Sequence, residues 1–167
     1  MSEATIRPAT APDDAALLAI DAATWSAFTS PAPPPPADVP FFDRGIAPED
    51  VLVAVADGAV VGYAAIGPSI PVPSNAHVMM VRSVAVDPAQ QGRGIGRRLV
   101  QAAVAEARAR GARRLRLRVL GHNAAARRVY EACAFVVEGV LREEFLLDGR
   151  YVDDVLMALT LSDEGTA

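Results

Sequence analysis

The chain has 167 residues and a formal charge of −4, with 51% hydrophobic and 22% charged side chains, a balance that fits one soluble α/β domain and gives no general attraction to nucleic acid or an anionic membrane. A single cysteine, Cys133, excludes an internal disulfide and stands in no cluster at metal-ligand spacing. No apolar leader marks the N-terminus and no apolar run is long enough to span a bilayer, so the expectation is one cytoplasmic domain over residues 1–167.

Ala4 to Arg7 reads as a first strand, after which Thr10 caps a helix running to about Thr24, with Pro12 in its first turn and Leu17, Ile20 and Thr24 on one side. Residues 30–40 are dominated by proline and are read as extended surface chain, either a loop flanking a site or a flexible insertion. The element order leaves room for a second helix before Val51. Val51 to Ala56 and Val60 to Ile66 are alternating, β-branched runs joined at Asp57-Gly58, the pair favoured in a type I′ hairpin. His77 to Val86 is a further strand, ended by Asp87-Pro88.

A helix from Gly94 to Arg110 places Ile95, Leu99, Ala103 and Ala107 inward, sets Arg98, Gln101 and Arg108 outward, and stops at Gly111. Arg113 to Val119 returns as a strand, and strand–helix–strand at this spacing implies a right-handed crossover and a parallel pair. Asn123 caps a short helix carrying Ala126, Val129, Tyr130 and Cys133. Two strands, Phe135 to Leu147 and Tyr151 to Leu161, turn at Asp148-Gly149, and a polar tail follows from Ser162. The expected fold is α/β: a mixed, mostly antiparallel sheet of about seven strands with a central parallel pair and helices on both faces.

Gln91-Gly92-Arg93-Gly94-Ile95-Gly96-Arg97 lies where a strand passes into a helix. A helix N-terminus offers unpaired N–H groups and a partial positive charge, so a phosphate can be held there by a globally acidic protein. The spacing is not that of a Walker A loop, which ends in Gly-Lys-Ser/Thr, nor that of the Gly-x-Gly-x-x-Gly dinucleotide fingerprint. A purely structural glycine turn is the alternative reading.

Val84-Ala85-Val86-Asp87-Pro88 followed by the glycine run resembles the acyl-CoA motif of the Gcn5-related N-acetyltransferases. Asn123 to Ala126, with Tyr130 and Phe135, is similar to that family's second conserved block, except that Ala134 stands where a glycine is usual. The segment from Gly139 to Asp153 resembles the ribosomal-protein and polyamine acetyltransferase branch. The resemblance implies that the strand before the glycine loop splays from its parallel neighbour, that acetyl-CoA is the cosubstrate with no metal, and that Val84, Ala85, Val86, Gln91, Gly92, Arg93, Gly94, Ile95, Gly96, Arg97, Asn123 and Tyr130 line its site. The expected partner is an amine, either a small molecule or a peptide N-terminus, with homodimerisation left open. A non-catalytic acyl-CoA sensor is the competing reading.

By the same resemblance the amine attacks the thioester directly. An alkylammonium with a pKa of about 10.4 must first lose a proton, at about 4–5 kcal/mol at pH 7, and the departing thiolate benefits from an acid. Tyr130 is the expected acid, though a core tyrosine would look the same. The strand glutamate that serves as base in some members has no match in Met80-Val81-Arg82-Ser83. Candidate bases are His77, Glu143, Glu144, Asp153 and Asp154, or a water chain. Asn123 either contacts the cosubstrate or only caps its helix. Cys133 reads as core filler. Trp25, Phe28, Phe41 and Phe42 are expected to wall the acceptor site, or to pack as core.

Overall fold

A computed structural model describes residues 3–161; the tail from Ser162 lies outside them. The strands β1 (Thr5–Pro8), β2 (Val51–Ala56), β3 (Ala59–Pro68), β4 (Val78–Val86), β5 (Arg114–Leu120), β6 (Val136–Leu147) and β7 (Arg150–Thr160) form one sheet in the order β1-β2-β3-β4-β5-β7-β6. Only β4 and β5 pair in parallel. The crossover between them is helix α2 (Ile95–Ala109), as the strand–helix–strand spacing requires.

Both hairpin turns follow from their residues. Asp57 and Gly58 have φ of 49° and 81°, and Asp148 and Gly149 have 48° and 74°, the two consecutive left-handed residues of a type I′ turn. Helix α1 (Asp14–Thr24) is entered through a 3-10 turn at Ala11–Asp13. There the Asp13 carboxylate accepts from the Thr10 N–H at 2.8 Å and from both terminal nitrogens of Arg7 at 2.7 and 2.8 Å.

Helices cover both faces. α2 buries Ile95, Leu99, Val100, Ala103, Val104 and Ala107 against one, together with helix α3 (Ala124–Ala132), while α1 lays Leu17 and Ile20 against the other. The expected second helix before Val51 is absent: Phe42–Arg44 and Pro48–Asp50 are single 3-10 turns, because Gly45 at φ 79° ends the first and Pro48 opens the second. Among the described residues no helix is long and apolar enough to cross a membrane.

The proline-rich segment is an ordered roof. The Trp25 Nε1–H donates to the Ala32 carbonyl at 3.0 Å, and Arg44 donates from Nη2 to the carbonyls of Pro36 and Val39 at 2.6 and 3.1 Å. Proline carbonyls keep their acceptor capacity even though their nitrogens cannot donate, so an arginine fork is the natural tie for such a loop.

Candidate functional site

β4 and β5 stay in register over three pairs, Val78–Arg114, Met79–Leu115 and Met80–Arg116, and then part. The cause lies in β4. Val81 faces Ile66 and Ser83 faces Ala65 across β3, so Arg82 is an extra residue, a bulge that bends the strand away from its parallel neighbour. The gap opens into a cleft of about 500 Å³.

Strand alternation divides this cleft. Val84 and Val86 turn toward the α2/α3 core, where Asn123, Ala126 and Tyr130 of the α3 segment also line the cavity. Ser83 and Ala85, opposite Ala65 and Tyr63, turn to the α1 side, with Asp21 and Trp25. Arg118 and Asp154 lie on that side too, because Val119 and Val155 beside them point into the α2/α3 core. The half lined by Val84, Val86 and Tyr130 adjoins the glycine loop. The other half is roofed by Thr29, Ser30 and Pro31.

At the glycine loop, Gly92 and Gly94 both have φ of 77°, with open space where a Cβ would stand. The first intrahelical bond runs from the Arg98 N–H to the Gly94 carbonyl at 3.1 Å, which leaves the N–H groups of Ile95, Gly96 and Arg97 without helical acceptors. Gln91 donates to the Val86 carbonyl at 3.1 Å, tying the loop to the strand end. Two arginines are otherwise engaged: Arg93 donates to the Gln90 side chain, and Arg98 pairs with Glu3 at 2.9 Å. Gly96 has room for a methyl, at 3.8 Å from Val86 Cγ2.

In α3 the Asn123 side chain accepts from the Ala126 N–H at 3.1 Å, so it caps the helix while lining the cleft. The helix ends with the Phe135 N–H on the Tyr130 carbonyl at 3.1 Å and the Ala134 N–H on the Glu131 carbonyl at 3.0 Å, a Schellman closure with Ala134 at φ 67°. This explains the glycine usual at that position. The Tyr130 ring packs edge-on against Phe135 with centroids 6.1 Å apart, and burial, with a smaller contribution from Cys133, pushes its hydroxyl pKa up to about 12. Cys133 is half-buried against the core, with its thiol pKa raised by burial, so it is no ready nucleophile.

The candidate bases scatter. His77 is exposed at the opposite end of β4, where its carbonyl accepts from Arg113 and Arg114 at 2.9 and 3.2 Å; Ser83 in the cleft lies about 20 Å further along the strand. Glu143 also lies apart: it sits in a bulge of β6 with φ 53°, exposed, and is not among the residues lining the cleft. Its N–H donates to Asp153 at 2.9 Å, which assigns Asp153 to holding that bulge. Glu144 is 4.0 Å from Arg118 at the rim. Asp154, 2% exposed, faces the cleft and takes the Arg118 guanidinium on Oδ2.

Sequence reasoning missed the group formed by Asp21, Arg44 and Tyr63. The Tyr63 hydroxyl donates to Asp21 Oδ1 at 2.8 Å and Arg44 Nη1 to Asp21 Oδ2 at 2.8 Å, and burial with the Asp21 charge holds the Tyr63 hydroxyl far above its usual range. The available signal was an aspartate beside Ile20, the one polar residue between Asp14 and Thr24 of α1. Of the four expected aromatic wall residues, Trp25 lines the cleft. Phe41 and Phe42 pack with the α1 core, where Phe41 stacks edge-on at 5.1 Å from Tyr63. Phe28 instead crosses to the β5–α3 turn, stacking at 4.3 Å on His122, whose Nε2 lies 2.8 Å from the Phe28 carbonyl.

The left-handed glycines, the unpaired N–H groups at the start of α2 and the freed edge of β4 at Val84 to Val86 fit a pyrophosphate followed by an extended amide-bearing arm. Comparison with known proteins agrees. Residues 17–135 match the acetyltransferase (GNAT) family. An L-amino acid N-acyltransferase of Escherichia coli is 31% identical over 74% of this chain and 71% of its own. An L-methionine sulfoximine/L-methionine sulfone acetyltransferase of Salmonella typhimurium is 32% identical over 68% of this chain and 66% of its own. The structure of yncA from Salmonella typhimurium with its cofactor acetyl-CoA superposes with a TM-score of 0.81 at 27% identity, covering 99% and 98% of the two chains. A ribosomal-protein-alanine N-acetyltransferase of Brucella melitensis gives 0.77 at 30%, covering 94% and 99%. The splayed sheet and its glycine loop thus belong to a member of the acetyltransferase (GNAT) family, an acyl-CoA-dependent N-acyltransferase with acetyl-CoA as its cosubstrate.

Proposed function

We propose that this enzyme acetylates the primary amine of a small-molecule acceptor, with Tyr130 as the hydroxyl that supports the departing thiolate and the α1 side of the cleft as the acceptor site. The observation that carries the reading is the divided cleft: Tyr130 and the freed β4 edge on one side, Asp21, Ser83, Arg118 and Asp154 on the other. The sequence similarity to the two small-molecule acyltransferases spans 68% and 74% of the chain, whereas that to a bS18-alanine N-acetyltransferase of Salmonella typhimurium spans 48%.

When bound, acetyl-CoA supplies the activated acyl carbon as a thioester. The N–H groups of Ile95, Gly96 and Arg97 hold phosphate oxygens, and the main chain from Val84 to Val86 orients the arm. Asp154, fixed by Arg118, offers the acceptor ammonium a carboxylate on the cleft wall, and its proton leaves through water. Tyr130 acts by hydrogen bonding. With its pKa at about 12 against about 8.5 for a thiol, complete proton transfer is uphill by about 5 kcal/mol, so the hydroxyl donates to the sulfur and keeps its proton.

The test is thiol release from acetyl-CoA with purified protein and a panel of amino acids, polyamines, aminoglycosides and N-terminal peptides. Small acceptors should give turnover; release with the peptides alone would overturn the acceptor assignment.

A further inference from the structure

Four charged side chains line the cleft: Asp21, Arg82, Arg118 and Asp154. Three are neutralised at once, Asp21 by Arg44 at 2.8 Å and Asp154 by Arg118. Arg82 forms no ion pair among the described residues, and it is exposed to whatever enters.

Its position is built in. As the extra residue of the β4 bulge it sits beside Ser83, and its guanidinium lies over Gly67 of β3. A methyl at Gly67 would stand 2.7 Å from Nε and 3.0 Å from Cζ, closer than packed atoms come. Nη2 also approaches the Pro68 carbonyl at 3.5 Å. A guanidinium held on a cleft wall without a carboxylate presents a planar fork that matches one. The other lining charges are already paired, so Arg82 is the cleft charge left for a ligand: a carboxylate beside the acceptor's amine would pair with it, whereas a polyamine brings no such group.

We propose that Arg82, seated by Gly67, anchors the carboxylate of the acceptor, so that the enzyme selects α-amino-acid-type amines over polyamines and over amino acid amides. The proposal rests on the α1 side of the cleft being the acceptor site. Arg82 binds and positions; the residues that handle the reacting atoms stay unchanged.

The experiment compares kcat/KM for a panel of L-amino acids, each beside its own amide, in wild type, Arg82→Gln and Gly67→Ala, with circular dichroism and thermal melting to confirm folding. Wild type should favour the acid of each pair. Arg82→Gln should lower kcat/KM for the acids by about 10-fold or more, leave the amides within about twofold, and leave the KM for acetyl-CoA unchanged. Gly67→Ala should shift selectivity the same way by displacing the guanidinium. Equal losses for acids and amides, or a wild type that prefers polyamines, would overturn the anchor while leaving amine acetylation standing. Absence of thiol release with every amine would remove both readings.

Discussion

Ala134 places a Cβ in a backbone conformation that suits glycine. At φ 67° it closes the Schellman motif of α3, it is exposed, and its methyl adds no packing to offset the conformational cost. The left-handed conformation costs a non-glycine residue about 1–2 kcal/mol, and replacing alanine by glycine returns about 0.4–1 kcal/mol through the freer unfolded chain. Ala134→Gly should therefore stabilise the protein by about 0.5–1 kcal/mol. With a urea m-value of about 2 kcal/mol/M, the midpoint should rise by about 0.3–0.5 M at constant m, and the melting temperature by about 2–3 °C. Equilibrium urea unfolding followed by circular dichroism measures both quantities. A midpoint that stays fixed or falls, with m unchanged, would refute the claim that this alanine is strained.

Tyr130→Phe should lower kcat by about 100-fold with little change in the KM for acetyl-CoA and no loss of stability, since the hydroxyl makes no hydrogen bond to the described residues; steady-state kinetics with a melting curve decides it. His122→Ala removes the stack and the hydrogen bond that fasten Phe28, worth about 1 kcal/mol at so exposed a place, and should speed proteolysis within residues 25–40 about fivefold and raise the acceptor KM. Above pH 10 stability should decline. The unfolded chain releases tyrosine protons from about pH 10, whereas Tyr63 and Tyr130 keep theirs in the fold, Tyr130 until about pH 12. The stabilisation is thus fully present below pH 10 and lost on the way up, at about 1.4 kcal/mol per pH unit for each tyrosine. Every cationic side chain is arginine, so lysine titration does not confuse the measurement. A flat urea midpoint between pH 9.5 and 11 would sink this account.

The features legible in the sequence are those written within a few neighbouring residues. Asp57-Gly58 dictates its own turn, Gly92 and Gly94 their own left-handed backbone, and the α2 periodicity its own buried stripe. The α1 side of the cleft was hidden because it depends on sheet order. β7 inserts between β5 and β6, and only that brings Asp154 to Arg118, 36 residues apart in sequence. Asp21, Arg44 and Tyr63 likewise meet from a helix, a loop and a strand. The place of His77 was hidden for a related reason: which end of β4 borders the cleft is decided by where the bulge at Arg82 falls, not by where the strand begins.

After the Met80–Arg116 pair the sheet has two edges in its own interior. Outer edges are guarded against stray pairing by charges and bulges, but an inner one must stay open to serve. An extended ligand lying along the β4 edge bridges two half-sheets that three paired positions and α2 otherwise join, so occupancy and folding become one equilibrium. At a hundredfold excess over its Kd such a ligand adds about 2.7 kcal/mol to the free energy of unfolding. The freed thiol product can fill the same groove as the thioester, so the durability of this protein would track the summed coenzyme pool, whichever form prevails.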